Sequence, residues 1–297
     1  RQLAVLKERF PKASLHAYTA TATPRVRQDI VAQLCLADPA VLIGVFDRPN
    51  LTYRVLPKID VYAQTLEVVQ RHKGQAVIVY CISRRDTEQV AEWLVENKIR
   101  AAHYHAGMDA DYRRGTQDAF AEDKLEVIVA TVAFGMGIDR GDVRCVMHAG
   151  LPKSLEHYQQ ETGRAGRDGL AAECVLLYSA ADAMKWEWLI DKSAEEANAP
   201  VEVSMAARQL LHEMQAYANT TVCRHRTISE HFGQNYEKPD CGACDGCLDE
   251  TDIIKDATVI AQKILSCVAR VEERFGAGHV VDVLRGANTE MIQKCRH

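Results

Sequence analysis

The chain has 297 residues, 47% of them hydrophobic, with 36 Lys and Arg against 41 Asp and Glu for a formal net charge of −5. That length suits about two packed domains, no run approaches the roughly 18 apolar residues of a membrane helix, and the acidic balance excludes a uniformly basic nucleic-acid surface while leaving local patches open. Four of the ten cysteines, Cys223, Cys241, Cys244 and Cys247, cluster in a chain whose first ten residues read as an amphipathic helix without a signal-peptide core, so metal is favoured over disulfides and a cytosolic protein is expected, or a nuclear one in a eukaryote.

The first 46 residues alternate helix and strand patterns. Residues 14–18 form a short strand pattern, Pro24 opens a helix running to residue 34, and residues 41–46 are a continuous apolar run that predicts a strand buried on both faces. Asp47-Arg48-Pro49-Asn50 breaks the pattern as an interdomain linker would. A β-then-α order follows. Helices are predicted at 64–71, 85–96, 111–121 and 154–161, and strands at 76–82, 100–104, 126–130, 144–149 and 173–178. Such alternation predicts an α/β fold with a mostly parallel sheet and helices on both faces, ligand loops following the strands. Beyond about residue 195 the character changes. An amphipathic helix at 204–217 leads into a loop-rich, cysteine-bearing stretch to about 250, then a long helix at 252–274 and the start of a short one at 278–286.

Five constellations carry chemistry. Cys241-x₂-Cys244-x₂-Cys247 with Cys223 offers four thiolates, the donor set of a closed tetrahedral Zn²⁺ site with no open position for catalysis. Unmetallated buried thiols, an iron–sulfur cluster, or His225 or His231 replacing one sulfur are the alternatives. Thr131, Gly135, Gly137 and Asp139 follow a predicted strand, where glycines allow close backbone approach and the hydroxyl and carboxylate suit phosphate and ribose contacts. Thr19, Thr21 and Thr23 place small hydroxyls after another strand, and His105 and Gly107 follow a third, with the basic residues Arg84, Arg85, Arg113 and Arg114 near strand ends. Most informative is Gln160-Glu161-Thr162-Gly163-Arg164-Ala165-Gly166-Arg167-Asp168-Gly169. Two guanidiniums three residues apart on a glycine-rich segment match phosphate oxygens, and can stabilise a transferring phosphoryl group by roughly 10³–10⁵ in rate.

In order, TATAT at 19–23, IVYCISRRDTE at 78–88, YHAGM at 104–108, ATVAFGMGID at 130–139 and QQETGRAGRDG at 159–169 resemble motifs III to VI of superfamily-2 helicases, and with the cysteine spacing the chain resembles the RecQ family of DNA helicases over nearly its whole length. The resemblance implies an ATP-driven motor of two RecA-like lobes, moving 3′ to 5′ on single-stranded DNA at duplex junctions in recombination and repair, with one structural zinc and with ATP and Mg²⁺ in the parent protein. It implies a remnant of the first lobe over residues 1–48, the second lobe over 49–195, a zinc subdomain over 196–250 and an incomplete winged helix over 251–297. Arg164 and Arg167 would face the ATP phosphates, with Arg167 the finger, while Gln160, Gly137 and Asp139 support nucleotide or interlobe contacts. Thr19 and Thr21 would couple nucleotide to DNA, and Ser83, Arg84, His105 and Thr131 would lie along the DNA track. No G-x-x-x-x-G-K-[ST] loop and no Mg²⁺-binding Asp-Glu motif occurs in the 297 residues, so the chain by itself is expected to be inactive as a motor. A non-enzymatic, zinc-stabilised DNA- or protein-binding module is the alternative.

Overall fold

The computed structural model describes residues 5–135, 140–251 and 256–295. Two helices come first, α1 (Val5–Arg9) and α2 (Pro24–Gln33), then β1 (Leu51–Pro57), α3 (Val61–Arg71), β2 (Ala76–Tyr80), α4 (Arg84–Glu96), β3 (Ala101–Tyr104), α5 (Ala110–Ala121), β4 (Val127–Ala130), β5 (Val143–His148), α6 (Leu155–Thr162) and β6 (Ala172–Tyr178). A helical hairpin of α7 (Ala180–Glu196) and α8 (Val201–Asn219) leads to α9 (Arg224–His231), and α10 (Ala257–Arg270), α11 (Ala277–Leu284) and α12 (Glu290–Cys295) follow. Contacts divide the chain into a unit to Glu250 and a second from Thr251, the latter with its own small core of Cys267, Val271 and Val280. Among the described residues no helix is long and apolar enough to cross a membrane.

The six strands form one parallel sheet in the order β1-β6-β5-β2-β4-β3. Period-two alternation splits its side chains between two cores. Ile78, Tyr80, Ile128, Val146 and Leu176 face one side, and Val77, Val79, Val129, Met147 and Val175 the other. Helices α3 and α4 cover the second core through Val68, Val69, Val90 and Leu94. The first core receives Phe120 of α5, Tyr158 of α6 and Met214 and Tyr217 of α8, and also Cys223, Phe232 and Cys244 of the cysteine module. Both faces are therefore sealed, as a parallel sheet requires.

Residues 14–18 and 41–46, expected as strands, have no strand pairing. Leu42 is 94% exposed and Val45 81%. A two-sided buried strand needs neighbours in register, and nothing among the described residues supplies them; within 41–46 Phe46 alone is sheltered, stacked on Phe232 with ring centroids 4.5 Å apart. Residues 47–50, expected as a linker, are an anchor. Asp47 Oδ1 lies 2.7 Å from His225 Nδ1, Arg48 Nη2 donates to Gly166 O at 2.8 Å, and Asn50 Nδ2 donates to Gly166 O and Leu170 O, both at 2.9 Å. Strand β1 then runs beside β6 from Leu51↔Ala172 to Pro57↔Tyr178.

On its other side β1 meets the cysteine loop. Tyr53 N donates to Ala243 O at 3.1 Å and Asp245 N to Tyr53 O at 2.9 Å, a parallel bridge that extends the sheet by one position. The bridge is held by a buried clamp. Asp245 accepts from Arg224 Nε at 2.9 Å and Nη2 at 3.1 Å, from Val55 N at 2.9 Å and from Gly246 N at 2.8 Å, while Arg224 also donates to Tyr217 O. Removing one partner of a buried pair strands the other charge, which costs about 3–5 kcal/mol. Asp245→Ala is therefore expected to lower unfolding free energy by about that amount in urea titrations of the zinc-loaded protein. A loss below about 1 kcal/mol, the range of an exposed pair, would contradict the clamp.

A second tie joins α6 to α9, with Glu156 Oε1 2.9 Å from His231 Nε2. Burial pushes the Glu156 carboxyl up, but bonds from His231, its own backbone N–H and Ser154 outweigh burial and hold it at about 2, against an ordinary 4.5. The folded state thus favours the ionised form. Its contribution is complete above about pH 4.5 and drains as pH falls toward about 2. Glu156→Gln should flatten the stability–pH slope in that window relative to the unsubstituted chain. Measuring the difference between the two proteins cancels acid effects they share; parallel slopes would refute the assignment.

Candidate metal centre and arginine loop

The four cysteines converge as their spacing predicted. Their Sγ atoms lie within 4.8 Å of one another, and four sulfurs about 2.3 Å from a tetrahedral Zn²⁺ stand about 3.8 Å apart. Cys223 enters at the N-cap of α9, and the other three sit on the loop that pairs with β1. Backbone amides face the sulfurs, with Ala243 N donating to Cys241 Sγ at 3.3 Å and Cys247 N to Cys244 Sγ at 3.4 Å. Gly242 takes φ +60°, a conformation that L side chains rarely adopt. Burial pushes the Cys247 thiol up to about 11 and Cys241 further. Cys244 is held below the usual thiol range because amide bonds from Arg224 and Cys247 overcome its burial. Four thiolates cannot share this space without a cation, and a dication satisfies all of them. The donor set fits one structural zinc held by Cys223, Cys241, Cys244 and Cys247.

Neither histidine is a ligand. His225 Nδ1 faces Asp47, and its Nε2 faces Leu51 O at 3.0 Å. His231 Nε2 faces Glu156, and its Nδ1 lies 3.7 Å from Glu213. A second group, His72, Cys145 and Glu173, also gathers ligand-type atoms. Its carboxylate is taken by Arg54 at 2.9 Å, Arg71 at 3.4 Å and His72 at 2.7 Å, so it is an ion-pair cluster whose guanidiniums repel a metal ion.

The arginine loop is locked from below. Helix α6 starts at Ser154, whose Oγ accepts from His157 N, and ends at Gly163, where an added Cβ would lie 2.9 Å from Gln159 O. At Gly166, φ is +54°, and a Cβ would lie 2.5 Å from Asn50 Nδ2 and 2.7 Å from Leu170 O, so the position requires glycine. Gly166 N donates to Val143 O at 2.9 Å, and Asp168 meets Arg144 at 2.6 Å. Arg167 is exposed, its Nε donating to Gly163 O at 3.4 Å. Arg164 is half-buried. Its Nη2 would stand 3.1 Å from a Cβ at Gly135, its Nε is buried without a hydrogen-bond partner, and it lies beside the Tyr80 hydroxyl. That hydroxyl donates to Phe134 O at 2.9 Å, and burial pushes its pKa up.

Gln160 Nε2 donates to Thr21 Oγ1 at 2.7 Å, and Thr19 Oγ1 to Thr21 O at 3.1 Å, so the threonine motif sits against the last turn of α6. Ser83, Arg84, His105 and Thr131 gather at the carboxyl edge of the adjacent strands β2, β4 and β3. There Ser83 Oγ caps α4 by accepting from Asp86 N at 3.1 Å, and buried His105 Nε2 lies 2.9 Å from Glu88 Oε1. Thr131 N donates to Tyr104 O at 3.2 Å, and Arg84 is exposed. The arginine loop is anchored at the first residue of β5, through Gly166 N and Val143 O, while the Arg164 guanidinium reaches Gly135 on the loop that follows Thr131. Gly137 and Asp139 lie outside the described residues. Tyr80, His148 and Asp245 are structural supports that sequence reading missed. Each was hidden in a strand or between cysteines, and only long-range pairing reveals it.

The metal assignment is testable. Purified chain should contain one zinc by elemental analysis, and Cys244→Ser should lose it together with several kcal/mol of stability, since structural zinc binding worth about 10–16 kcal/mol feeds into folding. Far less than one zinc in the unsubstituted chain would overturn the site.

Three family models match in succession, the helicase conserved C-terminal domain at residues 57–169, RecQ zinc-binding at 180–248 and the RQC domain at 251–297. The ATP-dependent DNA helicase RecQ of Pasteurella multocida is 42% identical over 296 residues, 100% of this chain and 46% of that protein. Its namesake in Bacillus subtilis is 40% identical over 289 residues, 97% of this chain and 48% of that protein. The chain thus spans about half the length of the curated relatives it matches. Among solved structures, S. cerevisiae Dbp5 bound to RNA and ADP BeF3 shares the fold, with TM-score 0.52, 17% identity and coverage of 69% of this chain and 57% of that one. With its helicase C-terminal lobe, its four-cysteine zinc module and its RQC segment in this order, the chain belongs to the RecQ family of helicases.

Proposed function

We propose that this chain supplies the second motor lobe and the zinc-braced platform of an ATP-dependent 3′–5′ DNA helicase that unwinds duplex DNA in recombination and repair. The observation that carries the reading is the arginine loop, in which a glycine-only turn pinned by Asn50 and Val143 holds Arg164 and Arg167 on one rigid segment. A motor lobe needs such rigidity. Guanidiniums fixed before the triphosphate arrives need no reorganisation as charge develops on the phosphoryl group. The Gln160–Thr21 bond suits a second task. It joins the arginine loop to the threonine motif, so a shift of one pulls on the other. The nucleotide would supply the reacting phosphoryl group and Mg²⁺ would offset its charge, and Arg167 and Arg164 are the residues here that would approach it. Single-stranded DNA would follow Ser83, Arg84, His105 and Thr131 on the carboxyl edge of the sheet.

With no phosphate-cradling loop among its 297 residues, the chain alone should hydrolyse ATP no faster than background even with single-stranded DNA present. In the full gene product, Arg167→Ala should lower DNA-stimulated kcat by about 10³-fold while leaving zinc content and fold unchanged. Robust ATP turnover by the isolated chain, or a full-length Arg167→Ala enzyme within ten-fold of the unsubstituted one, would sink this reading.

A further inference from the structure

We propose that three stacked rings at the open edge of the sheet, His105, His103 and Tyr112, form a platform on which one unpaired base of single-stranded DNA stacks. The inference rests on the DNA-track reading above and adds two residues to it. His103 and His105 are two apart at the end of β3, the last strand of the sheet, so they share one face. Their ring centroids are 5.7 Å apart at an interplanar angle of 18°. Tyr112, in the first turn of α5, continues the stack from His103 at 5.8 Å and 24°. The inner end is fixed, because His105 is 5% exposed and tied to Glu88. At the outer end Tyr112 is 52% exposed. The ladder thus runs from a buried anchor to an open ring.

Its setting selects the ligand. Arg84 Nη1 would stand 2.9 Å from a Cβ at Gly107, and His105 Nδ1 3.3 Å from it, so the ladder continues directly from two of the DNA-track residues. Arg113 adds a guanidinium whose Nε is buried without a hydrogen-bond partner. Yet the segments 84–88 and 109–114 that border the ladder carry Arg84, Arg85, Arg113 and Arg114 against Asp86, Glu88, Asp109 and Asp111, a formal balance of zero. A duplex, gripped mainly through phosphate charge, gains little there. An unpaired base gains a flat, pre-positioned π surface whose tyrosine has few rotors to freeze. The competing role, a cover for the edge of β3, would affect stability but not base-dependent binding.

The test compares fluorescence polarisation of a labelled oligothymidylate of about 15 nucleotides with that of an abasic strand of equal length, using the chain as it is. Tyr112→Ala should weaken oligothymidylate binding about 5- to 10-fold and leave the abasic strand unchanged, and Tyr112→Phe should bind both like the unsubstituted chain. Unchanged oligothymidylate binding by Tyr112→Ala, or an equal loss on both strands, overturns the platform. Failure of the unsubstituted chain to bind either strand overturns the DNA-track reading itself, and the platform with it.

Discussion

The Asp245 carboxylate is the constraint on which the first unit depends. It sits between two cysteine ligands in sequence and between two structural layers in space, and it is buried with Arg224. A carboxylate taken from water costs several kcal/mol unless its lone pairs are filled, and here two guanidinium donors and two backbone amides fill them. The arrangement leaves little freedom. If the cysteine loop lifted from β1, Asp245 would lose the Val55 amide while remaining buried against Arg224. The zinc module is therefore part of the sheet's edge, sharing one hydrophobic core with β1, α6 and α8.

From that edge the rigidity runs to the arginine loop through a few residues. His225 of α9 holds Asp47, Arg48 holds Ala165 O and Gly166 O, and Asn50 holds Gly166 O and Leu170 O. The stretch that enters β1 is thus clamped on one side by the metal-bearing module and on the other by the loop that carries Arg164 and Arg167. A structural metal can act at a distance in this way, by removing conformational freedom from side chains that the metal does not touch.

Much of this was legible in the sequence. The buried parallel strands announced themselves as apolar runs at 76–82, 126–130 and 173–178, because a sheet covered on both faces has no polar side to display. The zinc ligands were legible because tetrahedral thiolate coordination imposes short, regular spacing. Strand β1 was not, since Thr52 and Arg54 interrupt its apolar residues and the partners of Arg54, Glu173 and Glu250, are distant in sequence. Helix α9 was missed for a related reason. Its Arg224, His225 and His231 look like a solvated segment until their buried partners are in place. The strand pattern at 41–46 misled in the opposite sense, since an apolar run states a need for burial and not that neighbours within the described chain meet it.

The same reasoning explains a pair that stability alone does not justify. His148 and Glu161 are buried 2.7 Å apart, with His148 stacked on Tyr80 and Tyr158 beside it. An apolar pair of similar volume would hold the core as well, because desolvation offsets most of the gain from a buried ion pair. What an apolar pair lacks is direction. Glu161 O accepts the Arg164 amide at 3.2 Å, while the Glu161 side chain is held by His148 at the end of β5. Fixing that side chain fixes the rotation of the last turn of α6, and with it the aim of Gln160 toward Thr21 and of Arg164 toward Gly135 and Tyr80. The polar pair sits where orientation matters, one turn below the guanidiniums.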